Sequence, residues 1–172
     1  MLLAAEAAWS GQHKAKDKKD EKVAPEIRLP DADEIDREIS EMLGAWQVGD
    51  VNLLHSHYAD TVTVVSGAYE PPLVGWQKYL AAYQRQRERL GPVRLDRRNT
   101  FVSVKGDVAW AAYQWEFVAT VDGRPASAHG QTTLILERRG DRWLIVHNHT
   151  SEICELKNPE PVPRPAQPKP NP

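Results

Sequence analysis

Gly140-Asp-Arg-Trp-Leu-Ile-Val-His-Asn-His-Thr-Ser151 is the stretch from which the rest of the chain is read. It opens on a glycine turn and continues as a β-branched, period-two strand. Trp143 and Ile145 fall on one side of that strand, Leu144 and Val146 on the other. A strand that is apolar on both sides must be covered on both sides.

Working back from Arg139-Gly140-Asp141, the same alternation recurs between two further turn signals, Asp122-Gly123-Arg124-Pro125 and Lys105-Gly106-Asp107. Strands are therefore predicted near 93–104, 107–121, 126–138 and 142–151. The second also carries apolar residues on both faces: Ala109, Ala111, Tyr113, Trp115 and Phe117 against Val108, Trp110, Ala112 and Val118.

Upstream of the meander the period changes to that of helices. Asp31 and Glu34 supply an N-cap and a capping-box partner. Ile35, Ile39, Met42, Leu43 and Trp46 follow at helical spacing, and Gly49 ends the helix. Asp50 caps a second, shorter helix predicted to bury Val51, Leu54 and Tyr58. Thr61-Val-Thr-Val-Val65 reads as a strand. After a break at Pro71-Pro72, Trp76, Tyr79, Leu80, Tyr83 and Leu90 mark the stripe of a third helix. Segregated helices and strands predict an α+β fold, a curved, cone-shaped antiparallel sheet packed on three N-terminal helices. Three helices cover one face of such a sheet, so a homodimer through the other face is expected.

The ends are simpler. Residues 1–30 are expected to be a disordered or linker segment, with a mixed-sign run from Lys14 to Lys22. Residues 156–172 form a proline-rich tail, which excludes helix and sheet pairing. One domain, 31–155, lies between. With 22 basic and 24 acidic residues the chain lacks the basic surface that nucleic acid demands. No apolar run reaches the ~20 residues of a membrane span. Met1 to Trp9 is mildly apolar but lacks a basic leading segment. The compartment is left open by the sequence: the cytoplasm, or the exterior if a signal peptide precedes the given start. Cys154 is the single cysteine, which excludes an intrachain disulfide and a cysteine-based zinc site.

Two stretches carry a family resemblance. Trp46-Gln-Val-Gly-Asp50 followed by His57-Tyr-Ala-Asp60 resembles the helix end and "Phe/Tyr-Ala-Asp" step of the nuclear transport factor 2-like superfamily. Gly140 to Ser151 is similar to the "Gly-x-Trp-x-Ile-Val-His-x-His-x-Ser" ending of its SnoaL-like, ketosteroid-isomerase-like members. The association domain of calcium/calmodulin-dependent protein kinase II ends in much the same way. The resemblance spans the whole folded part and implies a cystatin-like cone around a ligand-binding pocket. It does not imply one activity, because this scaffold hosts many. The acid–base groups of ketosteroid isomerases would fall near Ser66, Met42 and Thr132 or Thr133, none of which can take those roles. The pocket arginines of the kinase domain would fall near Trp115 and Leu134.

Candidate site residues follow from chemistry. His147 and His149 share one strand face, and Glu152 comes soon after. A metal would need a further histidine, for which His129 is available, but the expectation is no metal and no cofactor. The pair also suits hydrogen bonding within the sheet or donation to a ligand. Which face is concave is open, so Asn148 and Thr150 compete with the histidines. His57 is a third candidate proton shuttle; His55 points away from it on the predicted helix. Trp46, Tyr58, Trp76, Tyr79, Tyr83, Tyr113 and Trp115, with His129 and Asn148, are the expected lining of a mostly apolar pocket. The expected function is binding of a small hydrophobic molecule, with acid–base catalysis on it as an extension. The rival is a non-catalytic dimerisation or assembly module.

Overall fold

The computed structural model describes residues 29–153. The expected linker, apart from Leu29 and Pro30, the proline-rich tail and Cys154 lie outside them. Three helices, α1 (Asp31–Val48), α2 (Val51–Ser56) and α3 (Trp76–Arg87), accompany six strands. The strands are β1 (Tyr58–Ser66), β2 (Tyr69–Val74), β3 (Leu90–Lys105), β4 (Val108–Val121), β5 (Arg124–Arg139) and β6 (Arg142–Glu152). They form one sheet in the order β2-β1-β6-β5-β4-β3. The α+β architecture is as expected, with one refinement. The β1–β6 ladder is parallel, because the meander folds back to lay the last strand beside the first.

The helix stripes read from the sequence form the core: Ile35, Ile39, Met42 and Leu43 from α1, and Trp76, Tyr79 and Tyr83 from α3, all buried. They meet Leu134, Leu136, Trp143 and Ile145 from the sheet. Helix α1 starts one residue earlier than expected, with Pro30 at the cap position and no side-chain cap. Asp31 is therefore helical. Its carboxylate instead meets Arg138 at 2.5 Å, whose guanidinium lies 4.4 Å over the Trp143 ring. The acidic first turn, Asp31, Asp33 and Glu34, complements the helix dipole. Gly49 ends α1 in the left-handed region at φ 84°, its N–H and that of Asp50 both returning to the Ala45 carbonyl.

Helix α1 is tied to β3 by Arg97, which is largely buried and reaches both carboxylate oxygens of Asp36 at 2.7 and 3.1 Å. That guanidinium holds the Asp36 carboxyl below its ordinary range. Asp50 caps α2 as expected, accepting from the Leu53 N–H at 2.9 Å. Asp50→Ala should lower stability by about 1 kcal/mol, read as a shift in urea midpoint at constant slope. An unshifted midpoint would mean that water replaces the cap at no cost.

Three boundaries differ from expectation. Tyr58 opens β1 rather than closing α2, and Leu90 opens β3 rather than ending α3. The segment around Pro71-Pro72, read as a break, is strand β2. Proline is tolerated there because β2 is an edge strand with only β1 as a neighbour. No helix among the described residues is long and apolar enough to cross a membrane.

Candidate functional site

The sheet register sets the inner face row by row. Ser66 pairs with Thr150, Thr150 with Thr132, and Thr132 with Tyr113. Those four side chains form one polar row across four strands. One step along the strands, Val64, Asn148, Leu134 and Ala111 form the next row. In the other direction come Glu152, Gly130 and Trp115, then Ala128, Phe117 and Leu95. Helices α1 and α3 stand over these rows without filling the space between. A cavity of about 350 Å³ remains, roofed by Met42, Leu43 and Trp46 from α1 and Tyr79 and Gln86 from α3.

Aromatic contacts hold the walls. Tyr58 packs at 5.3 Å from Tyr79 and 5.8 Å from Trp76, and Trp46 lies edge-on to Phe117 at 6.3 Å. The polar side chains are bonded to one another. Asn148 Nδ2 donates to the Tyr58 hydroxyl at 2.9 Å, Thr150 donates to Asn148 Oδ1 at 3.0 Å, and Thr132 and Thr150 share a 2.8 Å contact. Burial pushes the Tyr58 phenol up to about 12, with hydrogen bonds from Asn148 and Tyr79 opposing that rise. Burial likewise raises Tyr79 and Tyr113 well above the ordinary phenol range. All three are neutral O–H groups at physiological pH. Among the described residues the one charged side chain lining the cavity is Glu152, exposed at the end of β6.

Of the expected lining, Trp46, Tyr58, Tyr79, Tyr113, Trp115 and Asn148 do line this cavity. Trp76 and Tyr83 do not. Trp76 is buried behind it, stacked on His55 at 4.3 Å, and Tyr83 donates to the Trp46 carbonyl at 2.8 Å. They shape the wall from behind. His129 lies on the opposite face, in a shallow hollow of about 110 Å³ with Arg98 and Glu116.

The three candidate proton shuttles are all displaced from the cavity. His147 and His149 share a face as predicted, but it is the outer one, because Asn148 and Thr150 take the inward positions. His147 Nδ1 meets Thr63 Oγ1 at 2.7 Å within the sheet, and His149 is exposed. His57 is 3% exposed, buried beside α1 with Nδ1 2.6 Å from Glu38 Oε2. Residues the sequence reading did not select, Met42, Ser66, Thr132 and Glu152, line the cavity instead. Glu152 shares strand parity with Asn148, and Met42 shares helix spacing with Trp46; Ser66 and Thr132 join the lining only through cross-strand pairing.

Among the described residues one grouping has metal-ligand spacing, Glu38, Glu41 and His57, with ligand atoms within 4.8 Å of one another. His57 is already engaged by Glu38, and Arg37 faces Glu41 at 3.7 Å. Those two contacts account for the grouping, which stands apart from the cavity lining.

Comparison with known proteins places this architecture. The SnoaL-like domain family matches residues 35–155. Among solved structures, a nuclear transport factor 2-like superfamily protein from Salmonella enterica superposes with a TM-score of 0.67 at 19% identity, over 76% of this chain and 96% of that one. A Xanthomonas campestris protein named for the calcium/calmodulin-dependent protein kinase II association domain gives 0.65 at 17%, over 74% and 91%. A nuclear transport factor 2-like protein with a cystatin-like fold from Novosphingobium aromaticivorans gives 0.61 at 16%, over 72% and 82%. None of the curated proteins matches.

Proposed function

The chain belongs to the SnoaL-like domain family, and on that footing we propose that its cavity binds a small, uncharged and largely hydrophobic molecule. The single observation that carries this reading is the open volume of about 350 Å³ left between α1, α3 and the sheet. Small-molecule sites begin at about 300 Å³. An interior meant only to support assembly has enough aromatic side chains here to fill itself, which disfavours the assembly-module reading.

Binding is favoured over proton-transfer catalysis by the lining. A general base must reach the proton it takes and be ionisable near the working pH. Among the described residues no histidine, lysine, arginine or aspartate lines the cavity, and its one carboxylate, Glu152, stands exposed at the end of β6 rather than among the buried polar groups. The tyrosines are held protonated, so they donate and do not abstract. A charged ligand would lose its hydration with no counter-charge to receive it.

The outer face supports the second part of the proposal, a homodimer through the sheet. Phe101, Val108 and Ile135 are exposed there: Ile135 pairs with Trp110, and Val108 and Phe101 lie in the rows to either side. Contiguous apolar area of this kind marks an interface.

Native mass spectrometry of freshly purified protein tests both parts. The expected spectrum is a dimer carrying a co-purified neutral molecule, and the affinity for that molecule should stay flat to about pH 10, below the Tyr58 titration. An apo species that shows no thermal shift across a broad hydrophobic library would end the binding reading. A monomer at micromolar concentration would end the dimer.

A further inference from the structure

The outer face of the sheet carries a pair of imidazoles that the cavity does not use. His147 and His149 leave β6 on the same side, two residues and about 6.7 Å apart along the strand. Side chains of that length at that separation can close on one ion between them. Their surroundings are neutral: His147 pairs with Thr63 on β1 and Ile135 on β5, and His149 with Val65 and Thr133. Thr63 Oγ1 lies 2.7 Å from His147 Nδ1. With Nδ1–H donating to that hydroxyl, the ring is oriented and its lone pair stands on Nε2, the usual setting of a metal-binding imidazole. The exposed His149 ring is held by no hydrogen bond among the described residues.

Two ligands in one chain are half a site. His129 does not complete it. It lies four residues along β5 from Thr133, about 13 Å away, in the hollow with Arg98 and Glu116. The homodimer through the outer face supplies the other half. A two-fold interface sets a patch against its own copy. Strand β6 is third of the six from the β2 edge, so its outer side falls near the middle of a sheet-to-sheet contact. Ile135, the exposed apolar partner of His147, belongs to that contact. Burial there takes water from the free imidazole nitrogens, which is costly unless they gain a partner. The facing copy offers the same imidazoles in return, and a shared cation satisfies all four.

We propose that the dimer holds one divalent transition-metal ion of the zinc class between its two His147–His149 pairs. The inference rests on the homodimer reading and adds what joins the two copies. Imidazole nitrogens suit zinc, copper or nickel, whereas magnesium and calcium take oxygen ligands. A shell closed by four protein ligands keeps no open position, so the ion fastens subunits and does no chemistry.

The chain stripped with EDTA and titrated with zinc chloride alone tests this. Native mass spectrometry should count one zinc per dimer. The complete ligand set exists only in the dimer. At free zinc a hundredfold above its dissociation constant, the dimer should therefore tighten about a hundredfold, read by sedimentation. Cobalt in place of zinc should show the intense visible bands of a four-coordinate ion, not the weak ones of a six-coordinate ion. His149→Ala, at an exposed position, should lose the metal and the tightening and keep the metal-free dimer. His129→Ala should keep both.

One zinc per chain, zinc retained by His149→Ala, six-coordinate cobalt, or a dimer indifferent to zinc overturns the inference and leaves the dimer in place. A chain that stays monomeric with and without zinc removes the inference together with the dimer reading beneath it.

Discussion

Gly130→Ala is expected to cost about 3 kcal/mol of stability and to deform the cavity wall. Gly130 lies on β5 opposite Trp115, whose indole packs directly against it. A Cβ there would stand 2.1 Å from the Ser151 carbonyl oxygen and 2.3 Å from Trp115 Cζ2. The first contact is with backbone, so no change of rotamer relieves it. Either the tip of β6 must leave β5 or the indole must leave the wall. Gly44→Ala is the matched control: nothing lies within 4 Å of its Cβ, and in the interior of α1 it should stabilise by up to about 1 kcal/mol. Urea denaturation with tryptophan fluorescence reads both. A Gly130→Ala midpoint equal to that of the unsubstituted chain would show that the β5–β6 tip yields freely.

Glu38→Ala should cost a similar amount, about 3 kcal/mol. His57 is 3% exposed and its Nε2 has no partner, so Glu38 Oε2 at 2.6 Å is the ring's hydrogen-bond contact. Without it a buried imidazole is left with neither nitrogen satisfied. The same residue anchors the start of the parallel ladder, its carbonyl accepting from the Ile145 N–H at 2.9 Å. Glu38→Gln retains an acceptor and should cost within about 1 kcal/mol. Equal losses for the two variants would assign the effect to charge rather than to the bond.

The fold was legible in the sequence wherever a period was long enough to count. The stripe from Ile35 to Trp46 and the four meander strands each repeat over at least ten residues, and all are present. Short apolar runs were not legible in the same way. Tyr58 and Leu90 each sit at the end of a helical pattern and equally at the start of a strand, and tertiary pairing decided for the strand. Strand β2 was hidden by Pro71-Pro72, which local rules read as a break and which an edge position accommodates.

The site was half legible for a different reason. Aromatic residues announce a pocket, and Trp46, Tyr58, Tyr79, Tyr113 and Trp115 are in it. The inward face of β6 could not be chosen because both faces of β4 and β6 are apolar. What chooses it is the pairing of Val64 with Asn148 and Ser66 with Thr150, a contact across the length of the domain. Attention then went to His147 and His149, whose chemistry is conspicuous, over Thr132 and Thr150, whose importance lies in their alignment. A threonine is unremarkable until its neighbours on the next strand are known.

The parallel pairing of β1 with β6 also sets a schedule for synthesis. Thr63 and His147 are 84 residues apart in the chain, and at roughly 5–20 residues per second β6 emerges roughly 4–17 s after β1. Until then α1, α3 and β1 have no β6 floor beneath them, and the aromatic surface of Tyr58 and Tyr79 lacks its cover. Nascent chains halted before Arg142 should accordingly be held by chaperones, and those halted well beyond Glu152 released.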